Sequence, residues 1–274
     1  MRFSSTLRVL AFLLPVLVLA ACGDRTRLDA SEVLPVDELY AEAHKSMTAG
    51  NYDRAVKYYK RLVARFPFGR YTEQAELDMA YAQYKGNAPE EALSTVNRFI
   101  KQYPTQKHAD YAYYLRGLIN FNREIGLLER YIEQDTTRRD RAFARQSFQD
   151  FGALIERYPN SRYAPDARQR MIHLRNGLAQ AELNIAEYYF RRRAYIAAQS
   201  RAKYIIETYQ ETPQSGEALA IMSESYKRLG EDKLAEDTRR VLELNYPEHP
   251  YLQGKWPNDD HGWFDWLPFV GDDR

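Results

Sequence analysis

Apolar and polar positions recur along this chain at a fixed offset. Ala55, Val56, Tyr59, Leu62, Val63 and Phe66 precede Pro67, and 37 residues later Ala92, Leu93, Val96, Phe99, Ile100 and Tyr103 precede Pro104. After a further 55 residues, Ser147, Phe148, Phe151, Leu154, Ile155 and Tyr158 precede Pro159. The spacing i, i+1, i+4, i+7, i+8, i+11 is the buried stripe of an amphipathic helix. Each predicted helix stops at an aromatic-proline pair, because the residue before proline is pushed out of the helical region. Two later copies, 198–209 and 235–246, lie 37 apart again. Glu236, Arg239 and Glu243 dilute the last stripe, which suits a terminal repeat with a polar outer face.

A second helix precedes each stripe. Leu39, Tyr40, Ala43 and Met47 recur at +37 as Glu76, Leu77, Ala80 and Tyr84, then as Tyr113, Tyr114, Gly117 and Phe121. The small central residue, Ala43, Ala80 or Gly117, lets paired helices approach. Gly50-Asn51-Tyr52-Asp53 and Gly86-Asn87-Ala88-Pro89 mark the turns within the first two pairs. Helix, turn and helix in this order resemble the tetratricopeptide repeat, and predict an all-α superhelical solenoid of about five helix pairs over 35–247. The 55-residue step exceeds 37 by 18, which places an insertion at about 122–140. The next step, 51, exceeds 37 by 14, close to four helical turns, so an extended helix over about 165–191 keeps its face.

Upstream, Arg2 and Arg8 form a short basic region before an apolar run at 9–19 that is too short to span a membrane and is interrupted by Pro15. It ends in Leu19-Ala20-Ala21-Cys22, and Cys22 is the only cysteine of 274 residues. The tetrapeptide resembles a bacterial lipobox, cut between Ala21 and Cys22, with diacylglycerol and an N-acyl chain joined covalently to Cys22. The expected organisation is a signal peptide at 1–21, a lipidated tether at 22–34, the repeats, and an aromatic-acidic tail at 248–274. Several acyl chains hold a protein on a membrane stably where one does not. Glycine at position 23, rather than aspartate, implies outer-membrane sorting under the same resemblance. An ordinary secretory signal with a chance cysteine is the alternative.

Charge changes the picture by exclusion. With 39 basic and 38 acidic residues there is no global basic field to attract nucleic acid. His44, His108, His173, His249 and His261 show no paired spacing, so no metal site is expected. No phosphate-binding glycine loop or nucleophile elbow occurs, and neither catalytic residues nor a cofactor other than the lipid are expected. Binding is the remaining class. Tyr40, His44, Tyr81, Tyr84, Lys85, Tyr114 and Arg116 follow the packing positions of the first helices, and would line either a groove or the seams between repeats. An extended segment carrying aromatic residues would suit such a groove. The charged stretch 135–141 reads as a solvated loop or an arginine display. Arg191-Arg192-Arg193 suits the carbonyl end of a helix. Trp256, Trp263 and Trp266 crowd the tail, which is expected to cap the repeats, a partner or the membrane interface being the other possible supports.

The stretch 65–85, from Arg65-Phe66-Pro67-Phe68-Gly69-Arg70-Tyr71 to Tyr84-Lys85, resembles the BamD family of tetratricopeptide lipoproteins of the β-barrel assembly machinery. So do Arg116-Gly117-Leu118, Arg139-Asp140 with Ala144-Arg145 and Phe148, 158–163, and Ala186-Glu187-Tyr188-Tyr189. The resemblance implies a scaffold on the periplasmic face of the outer membrane, binding the periplasmic domain of BamA, accessory Bam lipoproteins and unfolded outer-membrane proteins. It puts Phe68, Tyr71 and Tyr84 in a substrate-facing groove, and Arg139, Arg145 and Arg201 among partner contacts. A tetratricopeptide pilotin for pilus secretins is the rival, and a peptidoglycan hydrolase on a helical scaffold a third reading. The tail beyond Pro250 has no counterpart in the family pattern.

Overall fold

The structure, a computed structural model, describes residues 33–130 and 141–256, with side chains of 124–130 set aside. Cys22, Arg139, most of the tether and the tail beyond Trp256 lie outside the described residues. Among those described there are ten α-helices and no strand. They are α1 (Val36–Thr48), α2 (Tyr52–Arg65), α3 (Arg70–Lys85), α4 (Pro89–Gln102), α5 (Ala109–Arg130), α6 (Ala142–Arg157), α7 (Ala164–Arg191), α8 (Tyr195–Thr208), α9 (Ser215–Leu229) and α10 (Asp232–Asn245). A 3-10 turn at Pro250–Gln253 follows. Five tetratricopeptide-type helix pairs result. The fold is all-α.

The chain forms two compact units, up to Pro104 and from Thr105. In the first, α1 to α4 pack in chain order, with α1 also against α3. Leu39, Ala43, Ala55, Tyr58, Tyr59, Leu62, Ala75, Met79 and Ala82 form its core. In the second, α5 to α10 pack in the same sequential way, with α7 also against α9. Phe151, Leu154, Leu115 and Ile119 are buried near its start, and Leu219, Ala220 and Leu242 near its end.

The stripes account for this packing. Positions i, i+4 and i+7 are fully buried in three copies: Ala55, Tyr59 and Leu62; Ala92, Val96 and Phe99; Ser147, Phe151 and Leu154. Position i+3, Tyr58, Thr95 and Asp150, is buried as well, which widens the stripe beyond the apolar pattern. In α10 only Leu242 is buried, as a terminal repeat requires. The aromatic residue before each proline, Phe66, Tyr103 or Tyr158, leaves the helical region at φ −128, −125 or −133°.

The turn within the first pair places Gly50 at φ 77°, and the residue 37 positions on, Asn87 at φ 59°, takes the same left-handed role. Gly86 has an ordinary φ of −79° and serves close approach instead, since a Cβ there would lie 3.2 Å from Cβ of Tyr52. Asn51 caps α2 by accepting from the backbone N–H of Arg54 at 3.2 Å. Gly117 sits against the buried ring of Phe151, as the small-residue pattern predicts.

The insertion begins as helix. At 22 residues α5 outruns α1 (13) and α3 (16), so part of the excess continues it to Arg130. The extended helix appears as α7, 28 residues ending at Arg191, with Pro165 in its first turn. No helix among the described residues is long and apolar enough to cross a membrane.

Candidate functional site

Two surfaces carry the residues singled out from the sequence, one in each unit. In the first unit, Tyr71, Gln74, Asp78, Tyr81 and Lys85 share one face of α3 by their spacing. Part of that face is interior. The Tyr40 hydroxyl donates to Asp78 Oδ2 at 2.7 Å, and Gln74 Nε2 donates to Oδ1 at 2.9 Å. The Tyr40 ring lies 5.5 Å from Tyr71 and 6.0 Å from Tyr59. Burial raises the Asp78 carboxyl above the ordinary aspartate range, opposed by hydrogen bonds from Tyr40 and Gln74 and by His44. Burial, and then Asp78 itself, raise the Tyr40 and Tyr59 hydroxyls. Tyr40 therefore packs in a seam between α1, α2 and α3, the second of the two places the sequence leaves open for it. Asp78 was missed by the stripe pattern; its only sequence signal is the i, i+4 pairing with Gln74.

The other half of the surface is open. Phe68 is 90% exposed in the connection between α2 and α3, held out by Gly69 at φ 118° and ψ 169°, a conformation reserved for glycine. Thr72 Oγ1 donates to the Phe66 carbonyl across the same turn. Guanidinium groups flank it, Arg65 over the Phe66 ring at 5.0 Å and Arg70 over Tyr71 at 5.1 Å. Tyr81 and Tyr84 are half-buried with rings 6.5 Å apart, and Lys85 and His44 are exposed. The result is an exposed aromatic side chain in a turn with an arginine two or three residues away on either side in sequence, and a pair of half-buried tyrosines at the far end of α3.

In the second unit Tyr114 and Arg116 are half-buried in side-chain networks, in keeping with the seam that the sequence leaves open for them beside the groove. Tyr114 stacks on Tyr163 at 4.7 Å and donates to Asp166 Oδ2 at 2.6 Å; Arg170 Nε donates to the same oxygen at 2.6 Å. Burial works to raise the Asp166 carboxyl, but the bonds from Arg170 and Tyr114 outweigh it and hold the group below its usual value. Burial, with the bond to Asp166, pushes the Tyr114 hydroxyl up to about 12. Arg116 Nε lies 2.8 Å from Asp150 Oδ1, and Asn120 Nδ2 donates to Oδ2 at 2.8 Å. Burial raises Asp150 despite these partners. These are structural networks, and Asp150 gave no apolar signal.

Arg145 on α6 and Arg201 on α8 stay exposed. Arg201 Nη1 pairs with Glu182 Oε2 at 3.0 Å while remaining 47% exposed. Tyr209 is pushed up to about 12 by burial, then by Tyr204 and Glu182, with Arg145 opposing. Two arginines, a glutamate and two tyrosines thus share one neighbourhood, able to exchange ion pairs with a partner. Among the described residues no group of three or more His, Cys, Asp or Glu is placed to hold a metal.

Residues 33–242 match the family model YfiO, outer membrane lipoprotein. Outer membrane protein assembly factor BamD of Xylella fastidiosa (strain Temecula1) is 43% identical over 272 residues, 98% of this chain and 93% of that one. The protein of the same name from Neisseria meningitidis serogroup B is 43% identical over 252 residues, 90% of this chain and 94% of that one. That of Vibrio cholerae serotype O1 is 35% identical over 238 residues, 87% and 98% of the two chains.

Proposed function

The chain belongs to the YfiO outer membrane lipoprotein family, and from that premise we propose that it is a two-surface scaffold in the assembly of outer-membrane β-barrel proteins. It is an outer-membrane assembly factor rather than an enzyme, as the curated family members are. In the finer reading, lipid on Cys22 holds it on the periplasmic face of the outer membrane. The first unit receives aromatic segments of unfolded barrel proteins. The second docks the periplasmic domain of BamA, with accessory lipoproteins nearby.

The observation that carries this reading is Phe68, an aromatic side chain held in water by a glycine turn between Arg65 and Arg70. Water disfavours such a ring by about 1.5–3 kcal/mol relative to burial, so an aromatic partner gains that much by covering it. The flanking cations favour a chain ending in a carboxylate. Arg201, exposed beside Glu182, and Arg145, exposed near Tyr209, suit an ionic contact of the second unit. Family membership favours this reading over a secretin pilotin.

Photo-crosslinkers at Phe68 and Tyr84 in cells test the first surface. Capture of C-terminal aromatic peptides of barrel proteins is expected, and capture of none would refute it. Co-purification tests the second surface: Arg201→Glu is expected to lose BamA, and undiminished recovery rules the contact out. Recovery of a secretin in place of BamA would establish the pilotin reading.

A further inference from the structure

Trp256, the last described residue, is seated and not loose. Its Nε1 donates to Glu217 Oε1 at 2.5 Å, and its ring lies 5.2 Å from Phe190 and 5.4 Å from Tyr251. His249 Nε2, 3.3 Å from Glu217 Oε2, braces the same carboxylate. Eighteen more residues follow, with Trp263, Phe264, Trp266, Leu267, Phe269 and Val270 among five aspartates and one arginine, a net charge of −4.

Phe190, the ring under Trp256, is followed directly by Arg191, Arg192 and Arg193, all exposed. Arg191 pairs with Glu187 at 3.7 Å, Arg192 lies over Tyr188 at 5.0 Å, and Arg193 occupies the turn at φ 60°. The carbonyl end of a helix carries roughly half a negative charge, which three arginines exceed even after Glu187 is subtracted. Beside them Ile196 is 67% and Tyr188 41% exposed. The corner is thus cationic, apolar and open.

We infer that segment 257–274 folds back in cis onto this corner, its aspartates on Arg191–Arg193 and its aromatic residues over Ile196 and Tyr188. Asp259 and Asp260 come three and four residues after Trp256, a reach of roughly 10–14 Å in extended chain. That matches a start point already on Phe190. Tethering at so short a span gives an effective concentration on the order of millimolar, which a second copy cannot match at working dilution. An anionic lipid surface would repel a tail of charge −4. Covering three to five large aromatic or aliphatic side chains supplies the apolar drive.

Disulfide trapping in the full chain tests it, in a Cys22→Ser background so that the introduced thiols are the only ones. Ile196→Cys with Phe264→Cys is expected to oxidise to an intramolecular bond at a rate independent of protein concentration. Arg192→Glu with Arg193→Glu should slow it severalfold, and Leu244→Cys on α10, also exposed, should trap Phe264→Cys far less. Equal trapping at Leu244, or no loss on charge reversal, overturns the inference. Bonds between chains alone would assign the tail to a second copy. Trapping at none of these sites, with the tail shielded from protease only on phosphatidylethanolamine–phosphatidylglycerol vesicles, would assign it to the membrane.

Discussion

Gly117→Ala is a test of how tightly the helix pairs are packed. A Cβ at Gly117 would lie 2.5 Å from Cε1, 2.6 Å from Cδ1 and 3.0 Å from Cζ of Phe151. Carbon atoms rest at about 3.5–4.0 Å, so close to 1 Å of overlap has to be relieved. The ring has little freedom to do so. It is fully buried, with Tyr114 at 6.0 Å and Phe121 at 6.4 Å between centroids. The backbone is held as well, because Ser147 Oγ donates to the Gly117 carbonyl at 2.9 Å. Overpacking costs about 1–3 kcal/mol, and the overlap here belongs at the upper end. Alanine gains about 0.8–1.0 kcal/mol over glycine in a helix interior, leaving a net loss of about 1–2 kcal/mol. Gly177 in α7 is the matched control, since a Cβ there meets nothing within 4 Å. Gly177→Ala should therefore stabilise by up to about 1 kcal/mol. The two substitutions, identical in chemistry and in the same unit, are expected to move the urea midpoint in opposite directions. Phe151→Leu should restore part of what Gly117→Ala loses, by making room for the methyl group. A Gly117→Ala chain as stable as the parent would refute the close-packing account.

Asp78 titrates above its ordinary 3.8 because burial disfavours its charge. The folded state then keeps a proton the unfolded state has lost, so this contribution is complete below 3.8 and disappears as pH rises through the raised folded value. Across that window this contribution makes urea midpoints fall with pH, and Asp78→Asn should flatten the decline, leaving those of Glu76 and Asp150, raised in the same way; an unchanged slope would assign the dependence elsewhere. Arg116→Met leaves Asp150 buried without its cation, for an expected loss of about 3–5 kcal/mol by chemical denaturation. Phe68→Ala should stay within about 0.5 kcal/mol of the parent in stability while losing capture of barrel-protein peptides in crosslinking, a combination that an exposed bystander would not give. Arg201→Glu breaks a half-exposed pair, so its stability cost should be at most about 1 kcal/mol, and loss of BamA from it would report docking rather than unfolding.

The repeats were legible because burial of apolar area at helical spacing is a local property of the chain. Ala55, Tyr59 and Leu62 announce their stripe with no knowledge of what they pack on, and the extra 14 residues before Ala198 announce the length of α7. Position i+3 was not legible: tyrosine, threonine and aspartate occupy it in turn, and only the third needs a cation. The carboxylates of Asp78 and Asp150 are tolerated inside, and that of Asp166 is fixed at a half-exposed edge, because donors converge on them from residues 38, 30 and 52 positions away, Tyr40, Asn120 and Tyr114. Such pairings are set by tertiary packing, which a local pattern cannot carry. The same distinction sorts the tyrosines. A tyrosine at the edge of a stripe is ambiguous because its ring can be buried while its hydroxyl finds a carboxylate, and Tyr40 and Tyr114 do so. Phenylalanine lacks that polar end, so Phe68 has no comparable means of bridging interior and water. Gly69, whose backbone no other residue adopts at ease, holds it outward instead. Glycine there gives up conformational entropy on folding and leaves an aromatic ring in water, and neither serves stability. An exposed ring maintained at that double expense is best explained by a partner that covers it, which is why Phe68 carries the binding reading and the more numerous tyrosines do not.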